Sequence, residues 1–349
     1  MKKILLMLAV AATLFTSCFN KKSTPAEEPV RIGIAWRADT ESEFYTNVVC
    51  ALREAGAEPV LLPQVRMEGW NYVDSTLAPE YIDENDVLLQ QYADMVKAGY
   101  DNSNVSTSVE NVSTSVEGVC AVVFTGGEDI APTLLRNPEP WHGIEAEKDY
   151  NATRDVSDYL TMSYCLANDI PVMGMCRGMQ MLVVVSGGTI IQDLPTYFAQ
   201  QGKNYNYEHR NQVEPGVYRD YAPHDVYVLD TTSWLYKTVE SSNTNALMQS
   251  RNHTIIHGAP SWHHQAAGSV EGTPLRVTGM LTTDGIDIIE AVQRTDKTFA
   301  VALQYHPEAA VVKRLDHDEN AADFMTYDEA VAYFKTLVEQ ARQYQQSIK

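Results

Sequence analysis

The chain has only 5 cysteines in 349 residues, and no two form a Cys-x-x-Cys pair. The spacing of a thiolate metal site or a dithiol redox site is therefore missing, and no metal or organic cofactor is expected. Positive charge is scarce: Lys and Arg total 26 against 46 Asp and Glu, a formal net charge of −20. No Lys/Arg cluster follows the N-terminal segment, which excludes nucleic-acid binding through phosphates; the acidic balance reads as solubility. The N-terminal apolar run from Ile4 to Phe15 is too short to span a bilayer, which takes ~20 apolar residues. Repeats are confined to one tandem heptad, Asn104–Glu110 and Asn111–Glu117. Two copies are too few for a solenoid, and their Ser, Thr and Val content reads as a duplicated surface loop spanning about 101–117.

What is present is concentrated in two segments. Gly174-Met175-Cys176-Arg177-Gly178 follows the apolar run Ile170–Met173 and precedes the apolar stretch Met179–Val185. Gly-x-Cys-x-Gly between a buried strand and a buried helix is the cysteine form of a nucleophile elbow. A helix N-terminus at the sulfur favours thiolate over thiol. The bland alternative, a buried cysteine between packing glycines, carries about equal weight on this pentapeptide alone. The second segment, Phe299–Glu308, is an apolar strand ending in His306-Pro307-Glu308. A thiol nucleophile needs a base and a group that orients the base. His306 fits the first role and Glu308 the second, since residues two apart on an extended chain share a face. Together the segments favour Cys176, His306 and Glu308 as a catalytic set. Developing oxyanion charge needs two N–H donors, and the Arg177 N–H, directly after the nucleophile, is one. A carboxylate substrate would need local positive charge, for which Arg154 and Arg177 are candidates. Gln180 lies one helical turn beyond Cys176, where it lines a pocket. Of the adjacent His263 and His264, at most one points into a cleft.

Strands alternate with helices along the chain. Strands are expected at Arg31–Trp36, Glu58–Leu62, Val119–Phe124 and Asp225–Leu229, and helices at Tyr45–Ala55, Val87–Ala98 (closed by Gly99), Thr153–Asn168 and Tyr327–Gln345. The segment 64–82 reads as a loop. This order argues a parallel sheet with crossovers, with functional loops at the strand C-termini. Cys50, Cys120 and Cys165 read as buried free thiols.

Four blocks carry a resemblance to a known family. They are Val122–Pro132 with its Gly126-Gly127 loop; Arg154-Asp155 and the following helix; Gly174 to Leu194; and the pair Ser261–Gln265 and Gln304–Glu308. The chain resembles the class I glutamine amidotransferase-like superfamily, and within it the peptidase C26, or γ-glutamyl-γ-aminobutyrate hydrolase-like, group. The resemblance implies an α/β three-layer sandwich with a mostly parallel central sheet, flavodoxin-like, over residues 30–349. It implies hydrolysis of a small-molecule γ-glutamyl amide through a thioester on Cys176. It supplies Gly127 as the second oxyanion donor and selects His264 over His263 for the cleft. It adds Gly126, Arg154 and Gln265 to the substrate contacts. Where the group carries Asn, this chain has Val183 and Pro260, positions expected to shape the pocket rim. The usual Asp-Gly-x-(Ile/Val)-Glu strand appears with extra residues as Asp284–Glu290. A glutaminase component of an amidotransferase, a non-catalytic binding lipoprotein and a hydrolase of cell-wall γ-linkages stay open as alternatives, and a homodimer stays open as the assembly.

Lys2-Lys3, the apolar run and Phe15-Thr16-Ser17-Cys18 resemble a bacterial lipoprotein signal. Residues 1–17 are expected to be cleaved and Cys18 lipidated. Residues 18–29 then form a polar tether, and the protein is exported and held at a membrane, on its periplasmic or outer face, by the lipid alone. Mass spectrometry of the N-terminal peptide from the membrane fraction is expected to show diacylglyceryl-modified Cys18. An unmodified Cys18, or an intact leader, would overturn that expectation.

Overall fold

The computed structural model describes residues 28–101, 109–242 and 254–349. The leader, Cys18, most of the tether and part of the first heptad copy lie outside the described residues. Within them, eleven strands form one sheet. They are β1 (Arg31–Ile34), β2 (Glu58–Leu61), β3 (Ala121–Phe124), β4 (Val172–Met175), β5 (Ile190–Ile191), β6 (Ala222–Val228), β7 (Thr254–Ser261), β8 (Ala266–Ala267), β9 (Leu275–Thr283), β10 (Ile286–Arg294) and β11 (Ala300–Leu303). The spatial order is β7-β6-β9-β10-β11-β4-β3-β1-β2, with β8 pairing β10 and β5 off this path.

The run from β11 to β2 is parallel throughout. Residues of β3, β4 and β11 are all buried, as expected where helices cover both faces of a parallel sheet. Successive side chains enter opposite cores: Val122 and Phe124 join one cluster, Ala121 and Val123 the other. One face is covered by α2 (Gln90–Asp101), α3 (Val112–Ser115), α4 (Ala152–Ala167) and α5 (Arg177–Val185). The other carries α1 (Glu43–Glu54), α7 (Trp234–Ser241), α8 (Pro307–Leu315) and α9 (Tyr327–Ser347); α6 (Leu194–Gln200) packs in a smaller satellite core. The expected three-layer α/β architecture is present. The sequence did not set out the antiparallel wing β7-β6-β9-β10, which joins the parallel half through β11.

Several local expectations shift. Helix α2 begins at Gln90 and continues through Gly99 to Asp101 rather than ending there. Residues 64–82 contain the two-residue pairing of Tyr72–Val73 with Thr76–Leu77. The second heptad copy is not a surface loop: Val112 and Val116 are buried in the core under α3. Their apolar contacts outweigh a weak local helix preference. Helix α9 matches its expectation closely. Thr326 and Glu329 form a capping box, and Val331, Phe334, Leu337 and Val338 face the core. Cys120 and Cys165 are buried free thiols, and Cys50 is half-buried and free.

Candidate active site

The parallel pairing aligns the C-terminal ends of β3, β4 and β11, because Gly174 opposes both Phe124 and Ala302. The next residues of the three strands are therefore neighbours: Thr125-Gly126-Gly127, Cys176, and Gln304-Tyr305-His306. Cys176 sits between β4 and α5 with φ 50° and ψ −107°, a left-handed conformation that costs a non-glycine residue about 1–3 kcal/mol. Close packing holds it there. A Cβ on Gly174 would stand 2.5 Å from the Gly178 carbonyl group, and one on Gly178 would stand 2.3 Å from the Phe124 oxygen. Glycine at both positions lets strand, turn and helix approach to backbone contact. The Cys176 N–H donates to the Leu303 carbonyl at 2.8 Å, which fixes the turn against β11.

His306 is fully buried between the rings of Phe44 and Tyr221, at centroid separations of 5.5 and 5.2 Å. Its main-chain N–H donates to the Pro260 carbonyl at 2.8 Å. Its Nδ1–H donates to Glu308 Oε1 at 2.7 Å, leaving Nε2 without a protein hydrogen bond. The pairing of His306 with Glu308 is as expected, but its geometric basis differs. Glu308 is not on an extended chain; it lies in the first turn of α8, and His306 is the residue that caps that helix. Pro307 at the first helical position, where the missing N–H costs nothing, starts the helix there. Burial opposes charge on the imidazole, but Glu308 and the Cys176 sulfur outweigh it and hold its pKa up at about 10. Gly126 packs between these groups: a Cβ on it would stand 2.6 Å from His306 Cε1, 3.1 Å from Phe44 and 3.5 Å from Cys176 Cβ.

A cavity of about 390 Å³ opens onto Cys176. Gly127, Gln180, His264 and Gln265 line it, together with Arg37, Glu128, Asp129, Glu147, Arg210 and Trp262. The Arg177 N–H is first in α5 and so has no intrahelical acceptor. Gly127 has φ 140°, which favours glycine. His264 Nε2 meets Asp129 Oδ1 at 3.0 Å and Nδ1 meets Asp193 Oδ1 at 3.1 Å. Although burial opposes it, these two carboxylates raise the ring's pKa to about 9. His263 points the other way, toward the buried Glu290, as the alternation of extended chain requires. Gln265 Oε1 accepts from the Ile130 N–H, while its Nε2 is buried and unpartnered. Gln180 donates to the Gln265 carbonyl at 3.1 Å.

Two expected contacts are displaced. Arg154 is 1 % exposed and is not on the cavity wall. Its guanidinium lies behind the Gly126-Gly127 loop, hydrogen-bonded to Glu128 at 2.5 Å and to the Thr125 carbonyl at 3.1 Å, with the Asp158 carboxylate 3.4 Å away. Arg177 is likewise buried, paired with Asp155 at 2.5 Å and with Asp158. Burial opposes its charge, and these two carboxylates outweigh that and hold it ionised. The arginines on the wall are Arg37 and Arg210, which the sequence reading missed. Arg37 donates to Thr125 Oγ1 and the Gly126 carbonyl, both at 3.2 Å. Arg210 pairs with Glu147 at 3.0 Å. Neither sits in a motif, so no local pattern marks them. Val183 and Pro260 are also not on the rim. Val183 is buried against the Gly188 turn, and Pro260 belongs to β7, where its carbonyl holds His306.

Arg154→Met is expected to lower folding stability by about 3–5 kcal/mol, because Glu128 and Asp158 lose a buried partner. Urea denaturation checks this. Unchanged stability with a raised KM alone would return Arg154 to the substrate contacts.

The chain is 28 % identical over 213 residues to Protein NtpR of Enterococcus hirae, covering 61 % of this chain and 74 % of that one. It is 31 % identical over 163 residues to the γ-glutamyl-γ-aminobutyrate hydrolase of Escherichia coli O157:H7, covering 46 % of this chain and 55 % of the relative. The solved glutaminase domain of Trypanosoma brucei CTPS with bound acivicin overlaps 90 % of this chain and 94 % of its own, at 14 % identity and a TM-score of 0.46. The family profile for Peptidase C26 matches residues 79–308, which include Cys176, His306 and Glu308, and the chain belongs to the Peptidase C26 family.

Proposed function

We propose that the protein is a cysteine-dependent hydrolase of γ-glutamyl amides. The observation that carries this reading is the convergence of Cys176, His306 and Glu308 around Gly126, at the mouth of a cavity with charges of both signs. A γ-glutamyl group presents an α-ammonium and an α-carboxylate. Asp129, Glu147 and Glu128 suit the first; Arg210 and the free Nε2 of Gln265 suit the second. The γ-glutamyl hydrolase named among the relatives and membership of the family support the same reaction class.

In this mechanism the Cys176 sulfur attacks the γ-carbonyl carbon while His306 carries the proton. The new oxyanion is met by the N–H groups of Gly127 and Arg177, two preorganised donors at the point where charge develops. His306 passes its Nε2 proton to the leaving nitrogen, the C–N bond breaks, and a γ-glutamyl thioester remains on Cys176. Water then attacks the thioester carbon and gives a proton to His306. The C–S bond breaks, and glutamate leaves. Glu308 holds the ring orientation through Nδ1 in both halves.

Cys176→Ala is expected to lower turnover of γ-glutamyl amides by at least about 10⁴-fold, measured as glutamate release across a panel of leaving amines. Full activity in that variant would exclude the mechanism. The pH dependence follows from His306. Its pKa in the folded enzyme lies above the ordinary value of 6.5, so the proton is retained through neutrality and is lost as pH rises through about 10. The kcat/KM profile, which reports the free enzyme, should therefore fall on that alkaline limb. Glu308→Gln removes the largest charge holding the proton and leaves burial to expel it. The limb should move down by about 1–3 units. A limb that stays in place would show that Glu308 does not act through His306.

A further inference from the structure

Behind the cavity wall, on the side of the sheet occupied by the antiparallel wing, three histidines surround one carboxylate. Glu290, in the middle of β10, is fully buried. His209 Nδ1 lies 3.1 Å from its Oε1, His224 Nε2 lies 3.3 Å from its Oε2, and His263 Nε2 lies 3.6 Å from Oε1. One ligating atom each from His209, His224 and Glu290 falls within 4.8 Å of the others. All three rings are buried.

The tautomers make this grouping unusual. His224 Nδ1 faces the Glu208 carbonyl at 3.3 Å, and His263 Nδ1 faces the Gln265 carbonyl at 2.8 Å. A carbonyl oxygen only accepts, so both Nδ1 atoms carry the hydrogen. In a neutral imidazole the Nε2 is then a lone pair, and here both Nε2 atoms lie within 3.6 Å of a carboxylate oxygen. Both oxygens of Glu290, both nitrogens of His209 and the Nε2 atoms of His224 and His263 lack a protein hydrogen-bond partner. Lone pairs facing an anion repel unless positive charge lies among them, and unpaired buried polar groups are costly.

We infer that His209, His224 and Glu290 form a site for a divalent transition metal of zinc type, with His263 beside it. Two imidazoles and one carboxylate are a donor set that suits Zn²⁺. His209 and His224 approach the two oxygens of Glu290 at 3.1 and 3.3 Å, close to the about 3.3–3.4 Å between neighbouring ligands of a tetrahedral ion. The Glu208 carbonyl on the His224 Nδ1–H supplies the outer hydrogen bond that orients a metal-bound histidine. The ligands come from three separate segments, so a search for local spacing does not find them. The ion would be taken up as the chain folds. It would hold His209 and His224 against β10, beside His263 of the segment that supplies Trp262, His264 and Gln265 to the cavity. This site is independent of the catalytic proposal.

The test is to express the full chain in zinc-supplemented medium, strip loosely held metal with a chelating resin, and measure metal by mass spectrometry. Wild type and Cys176→Ala should each hold one zinc per chain, and His209→Ala and His224→Ala should hold none in stoichiometric amount. X-ray absorption of the wild type, which needs no folded variant, should show nitrogen and oxygen neighbours at about 2.0–2.1 Å with imidazole scattering. Three results would each overturn the inference: metal-free wild type, zinc retained in the histidine variants, or sulfur at about 2.3 Å, which would put the ion on a thiol.

Discussion

The turn at Cys176 exists only because backbone meets backbone on both sides of it. Gly174 and Gly178 leave no room for a methyl group between β4, the first turn of α5 and the end of β3. That contact draws α5 onto the sheet closely enough for the chain to reverse within one residue, at a positive φ. The sulfur is left at the helix start, level with the ends of the two neighbouring parallel strands. A β-carbon at either glycine would push the helix outward and lift Cys176 away from the His306 ring and from the Gly126-Gly127 loop. The remaining features of the site presuppose this spacing.

A buried charge network provides the second support. Glu128, Arg154, Asp158, Arg177 and Asp155 connect the Gly126-Gly127 loop, α4 and the start of α5 through ion pairs, all buried except at the Glu128 end, which reaches the cavity. Replacing such a network by apolar groups is often neutral for stability, while breaking one member is not. Its value here is positional. It fixes the Gly126-Gly127 loop relative to the start of α5, the two segments that carry the Gly127 and Arg177 amides. Arginines that look from sequence like a carboxylate-binding pair are instead committed to this frame, and Arg37 and Arg210 face the cavity in their place.

Legibility in the sequence followed how local each feature is. Cys176 stands out because strand, turn glycines and helix lie within one short segment. His306 and Glu308 stand out because they are two residues apart, even though a helix turn and not an extended chain brings them together. Gln180, His264 and Gln265 were also within reach, since each sits in or beside a motif. Arg37, Arg210 and the gathering of His209 and His224 on Glu290 were not, because each comes from a separate stretch. Val183 and Pro260 misled for the complementary reason: next to a motif in sequence, they face the core and the sheet.

The sequence by itself determined the alternation of strand and helix, the elbow, and which cysteine and histidine stand at strand ends. These rest on short-range sterics and hydrophobic period, which operate within a few residues. Only the tertiary structure decided which charges face the cavity and which are spent inside, that an antiparallel wing extends the parallel half, and that three histidines converge on Glu290. Those outcomes depend on the order of strands across the sheet, which sets residues far apart in the chain side by side and is not written in any local pattern.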